Sequence, residues 1–367
     1  MSSTFPIRRI KEISFPPPPV FSEPDARVDP SWRRLNLNES RLAPSPKALH
    51  AMRDAINDIN NYPDHGCAAL AELISQRMGV DPGLLSFGNG SGELLVAAAM
   101  ISVQPGDEAI FPSPTFPTCP KGVQIAGGTI VDVPVTDDGT LDIDAMLGAI
   151  TPKTRMFYLC TPNNPTGGVV SAEDLRRVAE EVPDDCLLVV DEAYYEFAVH
   201  EGSADVLAQL RTRTGAWVVT RTFSKAYALS GMRVGYVIAS DADIKHGLWQ
   251  LRPNFNVNRL AQAAARAAML DEDHLAFILD STIRERRRLA DAVAELGWRA
   301  FPSGANFLTV SADRAAGEIV DKLQKFRILV QEVPWPAGHG SIRITIGNEQ
   351  ETGALIDALR EIAGAAA

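Results

Sequence analysis

Thr222-Phe223-Ser224-Lys225 follows the apolar, β-branched run Trp217-Val218-Val219-Thr220, and Arg233 comes eight residues after the lysine in Gly231-Met232-Arg233-Val234-Gly235-Tyr236. The apolar run predicts a buried strand. Lys225 therefore lies near a strand end, beside hydroxyl groups and a guanidinium that can bind an anion. An amine in such a setting can form an imine with a carbonyl compound.

Two other apolar runs also end in polar residues. Cys186-Leu187-Leu188-Val189-Val190 is closed by Asp191-Glu192-Ala193-Tyr194, and the run from Arg155 to Cys160 is followed by Asn163-Asn164-Pro165-Thr166-Gly167-Gly168. A buried carboxylate such as Asp191 is costly unless a cation pairs with it. The alternative for Asp191 is a helix N-cap, and the alternative for Asn164-Pro165 is a simple turn.

Strand and helix patterns alternate along most of the chain. Several strands are continuously apolar, which is typical of a sheet covered on both faces by helices. We therefore expect an α/β doubly wound core with a mostly parallel sheet. After Asn258, long helical segments and short strands at 307–310, 328–331 and 341–346 predict a smaller α+β domain.

These patterns divide the chain into three parts. Residues 1–40 form an arm that contains Pro16-Pro17-Pro18-Pro19 and is expected to be partly extended. Residues 41–255 form the large domain. Residues 256–367 form the small domain, and part of the N-terminal segment is a further candidate member of it.

Composition limits the classes of partner. The 367 residues carry a net charge of −11, which argues against nucleic acid, and the longest apolar run is too short to span a bilayer. Four scattered cysteines show neither disulfide nor metal-ligand spacing, so we expect no metal and a cytoplasmic protein. The basic cluster Arg284-Glu285-Arg286-Arg287-Arg288 is interpreted as a solvated helix face.

A glycine-rich segment predicts an anion site. Gly88-Asn89-Gly90-Ser91-Gly92 stands between a short strand and a helix predicted from Glu93. Free N–H groups at such a helix start bind phosphate. The rival interpretation is a dinucleotide fingerprint, but its third glycine would fall at position 93, which is glutamate.

Together these motifs resemble the pyridoxal-phosphate enzymes of fold type I, and within them the histidinol-phosphate aminotransferase family. The resemblance runs from about Asn36 to the end of the chain and includes Ser303-Gly304-Ala305-Asn306-Phe307 and Asn256-Val257-Asn258. It implies that pyridoxal 5′-phosphate is the cofactor and that Lys225 is the Schiff-base lysine and proton carrier. It also implies that Asp191 pairs with the pyridinium nitrogen.

The resemblance assigns the other cofactor contacts residue by residue. Tyr194 and Asn164 match the residues that bind the 3′ oxygen. Phe116 matches the aromatic residue that stacks on the ring, with a core phenylalanine as the alternative. Tyr62 matches a tyrosine that reaches the neighbouring subunit's phosphate, which implies a homodimer with shared active sites. The residues implied for the cofactor phosphate are Gly90, Ser91, Gly92, Thr222, Ser224 and Arg233, although relatives often have aspartate where Gly92 stands.

The substrate contacts follow from the same resemblance. Arg343 matches the arginine that binds the α-carboxylate, and Asn38 is a second candidate substrate residue. Gln331 stands where histidinol-phosphate enzymes typically have an arginine for the substrate phosphate, so Arg41 or Arg252 would have to supply that charge.

The implied reaction is transamination between a small-molecule amino donor and a 2-oxo acid, with histidinol phosphate and 2-oxoglutarate as the first choice, in histidine biosynthesis. Because of Gln331, an aromatic amino-acid aminotransferase is the alternative. A decarboxylase of an amino-acid phosphate would keep the same cofactor residues. A transcription regulator would need a DNA-binding module that the N-terminal arm is too short to supply.

Overall fold

The structure is a computed structural model that describes residues 7–13 and 29–364. The strands are β1 (Arg33–Arg34), β2 (Leu85–Gly88), β3 (Glu108–Ser113), β4 (Thr129–Pro134), β5 (Thr154–Cys160), β6 (Leu187–Asp191), β7 (Trp217–Thr222), β8 (Gly235–Ala239), β9 (Arg299–Ala300), β10 (Phe307–Ser311), β11 (Ile328–Leu329), β12 (Gln331–Val333) and β13 (Ser341–Thr345). The helices are α1 (Arg8–Lys11), α2 (Pro46–Ala55), α3 (Ala68–Met78), α4 (Ser91–Ser102), α5 (Thr118–Ala126), α6 (Ile143–Gly148), α7 (Ala172–Glu181), α8 (Tyr195–His200), α9 (Val206–Leu210), α10 (Ala242–Leu251), α11 (Arg259–Met269), α12 (Glu272–Glu295), α13 (Ala316–Lys325) and α14 (Glu349–Gly364).

The main sheet has the order β2-β8-β7-β6-β5-β3-β4. Strands β4, β3, β5, β6 and β7 are parallel, and β8 runs antiparallel to both β7 and β2. Every residue of β6 and β7 is buried, because helices pack on both faces of the sheet. The predicted α/β architecture with a mostly parallel sheet is confirmed.

A second, antiparallel sheet has the order β12-β13-β10-β9. Its core also takes side chains from α12, α13 and α14. Leu35 lies in this core, and the preceding strand β1 pairs in parallel with β11. A small cluster that includes Tyr194, Ala226 and Phe307 joins this part to the main sheet beside the strand ends.

The predicted domain boundaries remain a prediction. One observation bears on the boundary at residue 256. Helix α11 follows this boundary, yet it buries Ala261, Ala264 and Ala268 in the core of the main sheet and not in that of the second sheet. The expected extended course of Pro16 to Pro19 lies outside the described residues.

Two sequence expectations differ from the structure. The strand expected at 328–331 is two strands, because β11 pairs with β1 whereas β12 pairs with β13. The basic cluster of α12 is not wholly solvated: Arg286 is buried, donates to the Ala305 carbonyl and forms an ion pair with Glu201. Helix α12 passes under the second sheet there, so one of its arginines faces inward.

Candidate active site

Asp191 and Thr222 end neighbouring parallel strands, and Lys225 follows three residues after β7 ends. The carboxyl ends of parallel strands meet at one edge of a sheet, which is where such folds bind ligands. A cavity of about 560 Å³ opens there. The predicted site residues that line it are Asn38, Ser91, Phe116, Asn164, Asp191, Tyr194, Lys225, Gln331 and Arg343.

Asp191 is a buried carboxylate that receives hydrogen bonds from neutral donors. Tyr158 donates its hydroxyl to Oδ2 at 3.1 Å, and both the Thr220 hydroxyl and the Ala193 amide donate to Oδ1 at 3.2 Å. Burial raises the pKa of Asp191 to about 6, although these hydrogen bonds lower it. The site therefore presents a carboxylate that an added cation would stabilise.

The amine of Lys225 lies close to backbone carbonyl groups of the N-terminal segment. Its Nζ donates to the Asn38 carbonyl oxygen at 2.9 Å and to that of Leu37 at 3.4 Å. Burial, followed by the charges of Arg343 and Arg233, lowers the pKa of Lys225 to about 8. The amine therefore loses its proton much more readily than an ordinary lysine, and roughly a tenth of it is neutral at pH 7.

Arg343 lies on β13 and lines the same cavity as Lys225. Its Nη1 donates to Asn164 Oδ1 at 2.6 Å and its Nη2 donates to the Asn36 carbonyl at 2.7 Å. Its buried Nε has no hydrogen-bond partner among the described residues. Arg343 therefore keeps donor capacity for a carboxylate.

Tyr194 is held from the same N-terminal segment. Asn38 donates its Nδ2 to the Tyr194 hydroxyl at 2.9 Å, while the Asn38 amide donates to Thr345 Oγ1 at 2.8 Å. Burial raises the pKa of Tyr194, so its hydroxyl stays protonated. A protonated phenol can donate to an oxygen anion in the cavity.

Among the predicted phosphate residues Ser91 lines the cavity, and Gly90, Arg233, Ser224 and Thr222 form a cluster next to it. Helix α4 begins at Ser91 after Gly90, whose φ is +80°. A side-chain carbon on Gly90 would collide with the Arg233 guanidinium. Arg233 donates to Ser224 Oγ at 3.4 Å, and Thr222 donates to the same oxygen at 2.9 Å.

The helix start differs from the predicted Glu93. The helix begins two residues earlier, at Ser91. The N–H groups of its first turn have no partner within the helix and so remain available to an anion. Glu93 instead reaches back and accepts from the Asn89 side chain at 2.9 Å. At Gly92 a Cβ atom would make an ordinary contact of 3.5 Å with Thr118, so the backbone at this position does not itself require glycine.

Tyr62 does not line the cavity of its own chain. It is 78% exposed and stacks on Phe255 with ring centroids 4.5 Å apart. Phe116, by contrast, lines the cavity and is half-buried.

The two arginines considered for a substrate phosphate also lie away from the cavity lining. Arg41 forms a two-pronged ion pair with Glu351, with Nη2 at 2.6 Å and Nε at 3.0 Å from Oε1. Arg252 lies 3.5 Å over the Trp249 ring and donates to the His65 carbonyl. Both guanidinium groups already have partners in the fold.

Sequence reasoning missed Tyr158 as a site residue. It precedes Cys160 by two positions on β5, and Cys160 is the register partner of Asp191 on β6. The period-two alternation of a strand places Tyr158 and Cys160 on the same face. The alternation along β5 could therefore be read from the sequence, but the register between β5 and β6, which brings Tyr158 to Asp191, could not.

A larger surface groove of about 850 Å³ lies elsewhere, against α12 and α14. Its charges pair with each other, as in His200 with Asp280 at 2.7 Å and Arg360 with Glu295 at 3.1 Å. Within residues 7–13 and 29–364, no group of three or more potential metal ligands was found. No helix in this part of the chain is long and apolar enough to cross a membrane.

Comparisons with known proteins show the family of the chain. The sequence pattern of the family "Aminotransferase class I and II" matches residues 31–359. The chain is 37% identical over 330 residues to histidinol-phosphate aminotransferase 2 of Carboxydothermus hydrogenoformans, covering 90% of each chain. It is also 37% identical over 327 residues to the aromatic amino acid aminotransferase of Rhodococcus jostii, covering 89% of each.

A solved structure has the same fold. The histidinol-phosphate aminotransferase of Sinorhizobium meliloti, in complex with pyridoxal-5′-phosphate, superposes with a TM-score of 0.85 at 31% identity. The alignment covers 91% of this chain and 92% of that one.

Proposed function

The chain belongs to the class I and II aminotransferase family, and from that premise we propose that it transfers an amino group from histidinol phosphate to 2-oxoglutarate with pyridoxal 5′-phosphate as cofactor. One observation carries the proposal. A single cavity brings together the Lys225 amine, the buried Asp191 carboxylate and the Arg343 guanidinium. The motif-based resemblance to histidinol-phosphate aminotransferases is confirmed at the level of sequence relatives and fold.

The residues present fit the cofactor. Asp191 has a raised pKa and only neutral donors, so a protonated ring nitrogen would be the cation that stabilises its charge. Because Gly90 has no side chain, the Arg233 guanidinium can lie beside the N-terminus of α4, where it donates to the Ser230 and Asn89 carbonyls. A helix N-terminus with an adjacent arginine suits a phosphate.

When bound, pyridoxal phosphate supplies an aldehyde that links to amines and an aromatic ring that withdraws electrons from the substrate Cα. Lys225 Nζ, with its pKa lowered to about 8, accepts the Cα proton as a neutral amine and later returns a proton. Asp191 would hold a proton on the ring nitrogen through its negative charge. The Tyr194 hydroxyl would donate a hydrogen bond to the ring oxygen.

Arg343 orients the substrate. Its partners are an amide and a carbonyl oxygen, both neutral acceptors that a carboxylate can replace. A carboxylate accepts two parallel hydrogen bonds from a guanidinium, and charge-assisted bonds are stronger than neutral ones. The amino donor and the 2-oxo acceptor both carry an α-carboxylate, which therefore binds at Arg343. Asn38 lines the same cavity and holds the Tyr194 hydroxyl by a hydrogen bond.

The second subunit completes the site in this proposal. Tyr62 is exposed and already stacked on Phe255, which suits a residue that contacts a neighbouring copy. We expect a homodimer in which Tyr62 of each subunit reaches the other subunit's cofactor phosphate. Mixing inactive Tyr62→Ala and Lys225→Ala subunits would then restore activity, because each mixed dimer contains one intact site. Mixed dimers with no activity would show that the sites are not shared.

An aromatic amino acid is the second candidate donor, and a specific observation favours it. Gln331 is the register partner of Arg343 and lines the cavity, where it offers no charge. Leu37, Val333 and Pro334 are apolar residues of the same lining, and Glu332 adds a carboxylate that does not suit a phosphate. With Arg41 and Arg252 engaged elsewhere, an uncharged side chain fits this end of the cavity without a missing counter-charge.

A panel of amino donors with 2-oxoglutarate tests the proposal. Histidinol phosphate, phenylalanine, tyrosine and aspartate are compared by kcat/KM in wild type, Gln331→Arg and the neutral control Gln331→Met. If histidinol phosphate is the donor, wild type prefers it. If the donor is aromatic, only Gln331→Arg moves the ratio toward histidinol phosphate, about ten- to a hundredfold for one charged contact. Carbon dioxide release with no oxo product would instead indicate a decarboxylase.

The cytoplasmic location is likewise proposed rather than observed. Its support is that Cys67, Cys119, Cys160 and Cys186 are buried free thiols. Fractionation of the native cells, with the protein found outside the soluble cytoplasmic fraction, would contradict it.

A further inference from the structure

Tyr158 is a fully buried tyrosine whose hydroxyl lies against the carboxylate of Asp191. The side chain is 0% exposed, and its oxygen is 3.1 Å from Asp191 Oδ2. Its ring packs on Phe111 with centroids 5.1 Å apart, which fixes the direction of the hydroxyl. A buried phenol normally finds a hydrogen-bond partner, and here that partner is a carboxylate.

The acceptor positions of Asp191 can be counted. A carboxylate offers about four lone-pair positions. The Ala193 amide and the Thr220 hydroxyl both use Oδ1, and Tyr158 uses Oδ2. One position is therefore open, on Oδ2, in a residue that lines the cavity.

Other ionisable groups also act on this carboxylate. Burial raises the pKa of Asp191, and the charge of Glu192 raises it further, whereas Tyr158, Thr220 and Ala193 lower it. The titratable groups that interact with Asp191 from the surrounding elements are Tyr158 and Cys160 on β5, Cys119 on α5, Glu192 and Tyr194 after β6, and Lys225 after β7. Among these, Tyr158 is the one whose side chain donates directly to Oδ2.

We infer that Tyr158 is a positioning residue for the cofactor: its hydroxyl keeps Asp191 ionised and fixes the carboxylate so that one acceptor position of Oδ2 stays open for the ring nitrogen. This inference rests on the proposed role of Asp191. Tyr158 acts through Asp191 and does not itself line the cavity. Removing its hydroxyl takes one of three donors from a buried charge.

The test compares Tyr158→Phe with wild type and with Tyr227→Phe, a buried tyrosine that does not contact Asp191. In cofactor-free protein carrying ¹³C-labelled aspartate, with the Asp191 signal assigned from Asp191→Asn, the pKa of Asp191 is measured by NMR titration. Tyr158→Phe is expected to raise it by about one unit, since a donor to the charged form is lost. The cofactor dissociation constant should rise about tenfold. Tyr227→Phe should change neither.

A second variant keeps the test decisive if Tyr158→Phe does not fold. Placing 3-fluorotyrosine at position 158 preserves the ring and makes the hydroxyl a stronger donor, so the pKa of Asp191 should fall. An unchanged Asp191 titration in both variants, or an upward shift with fluorotyrosine, overturns the inference. Because the titration uses cofactor-free protein, it reports on Tyr158 even if the proposed reaction is wrong. A shifted titration with an unchanged cofactor dissociation constant would instead contradict the assigned role of Asp191.

Discussion

Replacing Asp191 by asparagine is expected to stabilise the cofactor-free protein at alkaline pH. Burial raises the pKa of Asp191 from 3.8 to about 6. When the pKa of a carboxyl group is higher in the folded than in the unfolded state, its protonation stabilises the fold. This contribution to the unfolding free energy is complete below pH 3.8 and is lost as pH rises through 6. Asparagine carries no charge at either pH, so the variant avoids the loss.

The magnitude follows from the shift. A change of about two pKa units corresponds to roughly 3 kcal/mol of unfolding free energy above pH 7. With an unfolding entropy of about 2.1 cal/mol/K per residue, a chain of 367 residues gains about 4 °C in Tm. The amide nitrogen of asparagine cannot accept a hydrogen bond from the Tyr158 hydroxyl, and this loss lowers the stability of the variant at every pH. The informative quantity is therefore how the Tm difference between variant and wild type changes from pH 4 to pH 8.

Differential scanning calorimetry of cofactor-free wild type, Asp191→Asn and the surface control Asp357→Asn, each at pH 4 and pH 8, measures this difference. The Tm of Asp191→Asn relative to wild type should increase by several degrees from pH 4 to pH 8, and that of Asp357→Asn should not. Equal pH dependence in both variants would show that Asp191 is not a destabilised buried charge, and the reasoning about its cation partner would be refuted.

Two further predictions address the substrate contact and the sheet beneath the site. Arg343→Lys should raise KM for both the amino and the oxo substrate about ten- to a hundredfold while leaving the cofactor dissociation constant unchanged, since one ammonium cannot replace two parallel guanidinium bonds. A change in cofactor binding alone would contradict this role. Glu192→Gln should destabilise the fold by about 3–5 kcal/mol, because it leaves the fully buried Arg221, now paired at 2.7 Å, without a counter-charge. Urea unfolding of this variant and of the double variant Glu192→Gln/Arg221→Met checks it: the double variant should recover much of the loss, and a neutral single variant would disprove the account.

Much of the architecture could be predicted because local patterns decide it. Helix α7 has local signals of this kind, since Ser171 caps it and its buried residues Leu175, Val178 and Ala179 follow the helical period. The continuous apolar runs of β6 and β7 indicated a parallel sheet covered on both faces. Parallel strands place Asp191 and Lys225 at the same edge of the sheet, which agrees with the common cofactor site that the family resemblance implied.

The remainder depended on long-range pairing. The division of 328–331 into two strands required the pairing of β1 with β11. The hydrogen bond between Tyr158 and Asp191 required the register of β5 with β6. The neutralisation of Arg41 required Glu351, which lies 310 positions away in the chain. Local composition and periodicity do not reveal these pairings, although the alternation of β5 does place Tyr158 on the same face as Cys160.

The central claim is that Lys225 holds the cofactor in this cavity, and reductive trapping tests it most directly. The purified protein, loaded with pyridoxal phosphate, is treated with borohydride, digested and mapped by mass spectrometry, with Lys225→Ala as the control. The account predicts a phosphopyridoxyl group on the peptide that contains Lys225 and none on the variant. A group on another lysine, or equal labelling of wild type and variant, would contradict it.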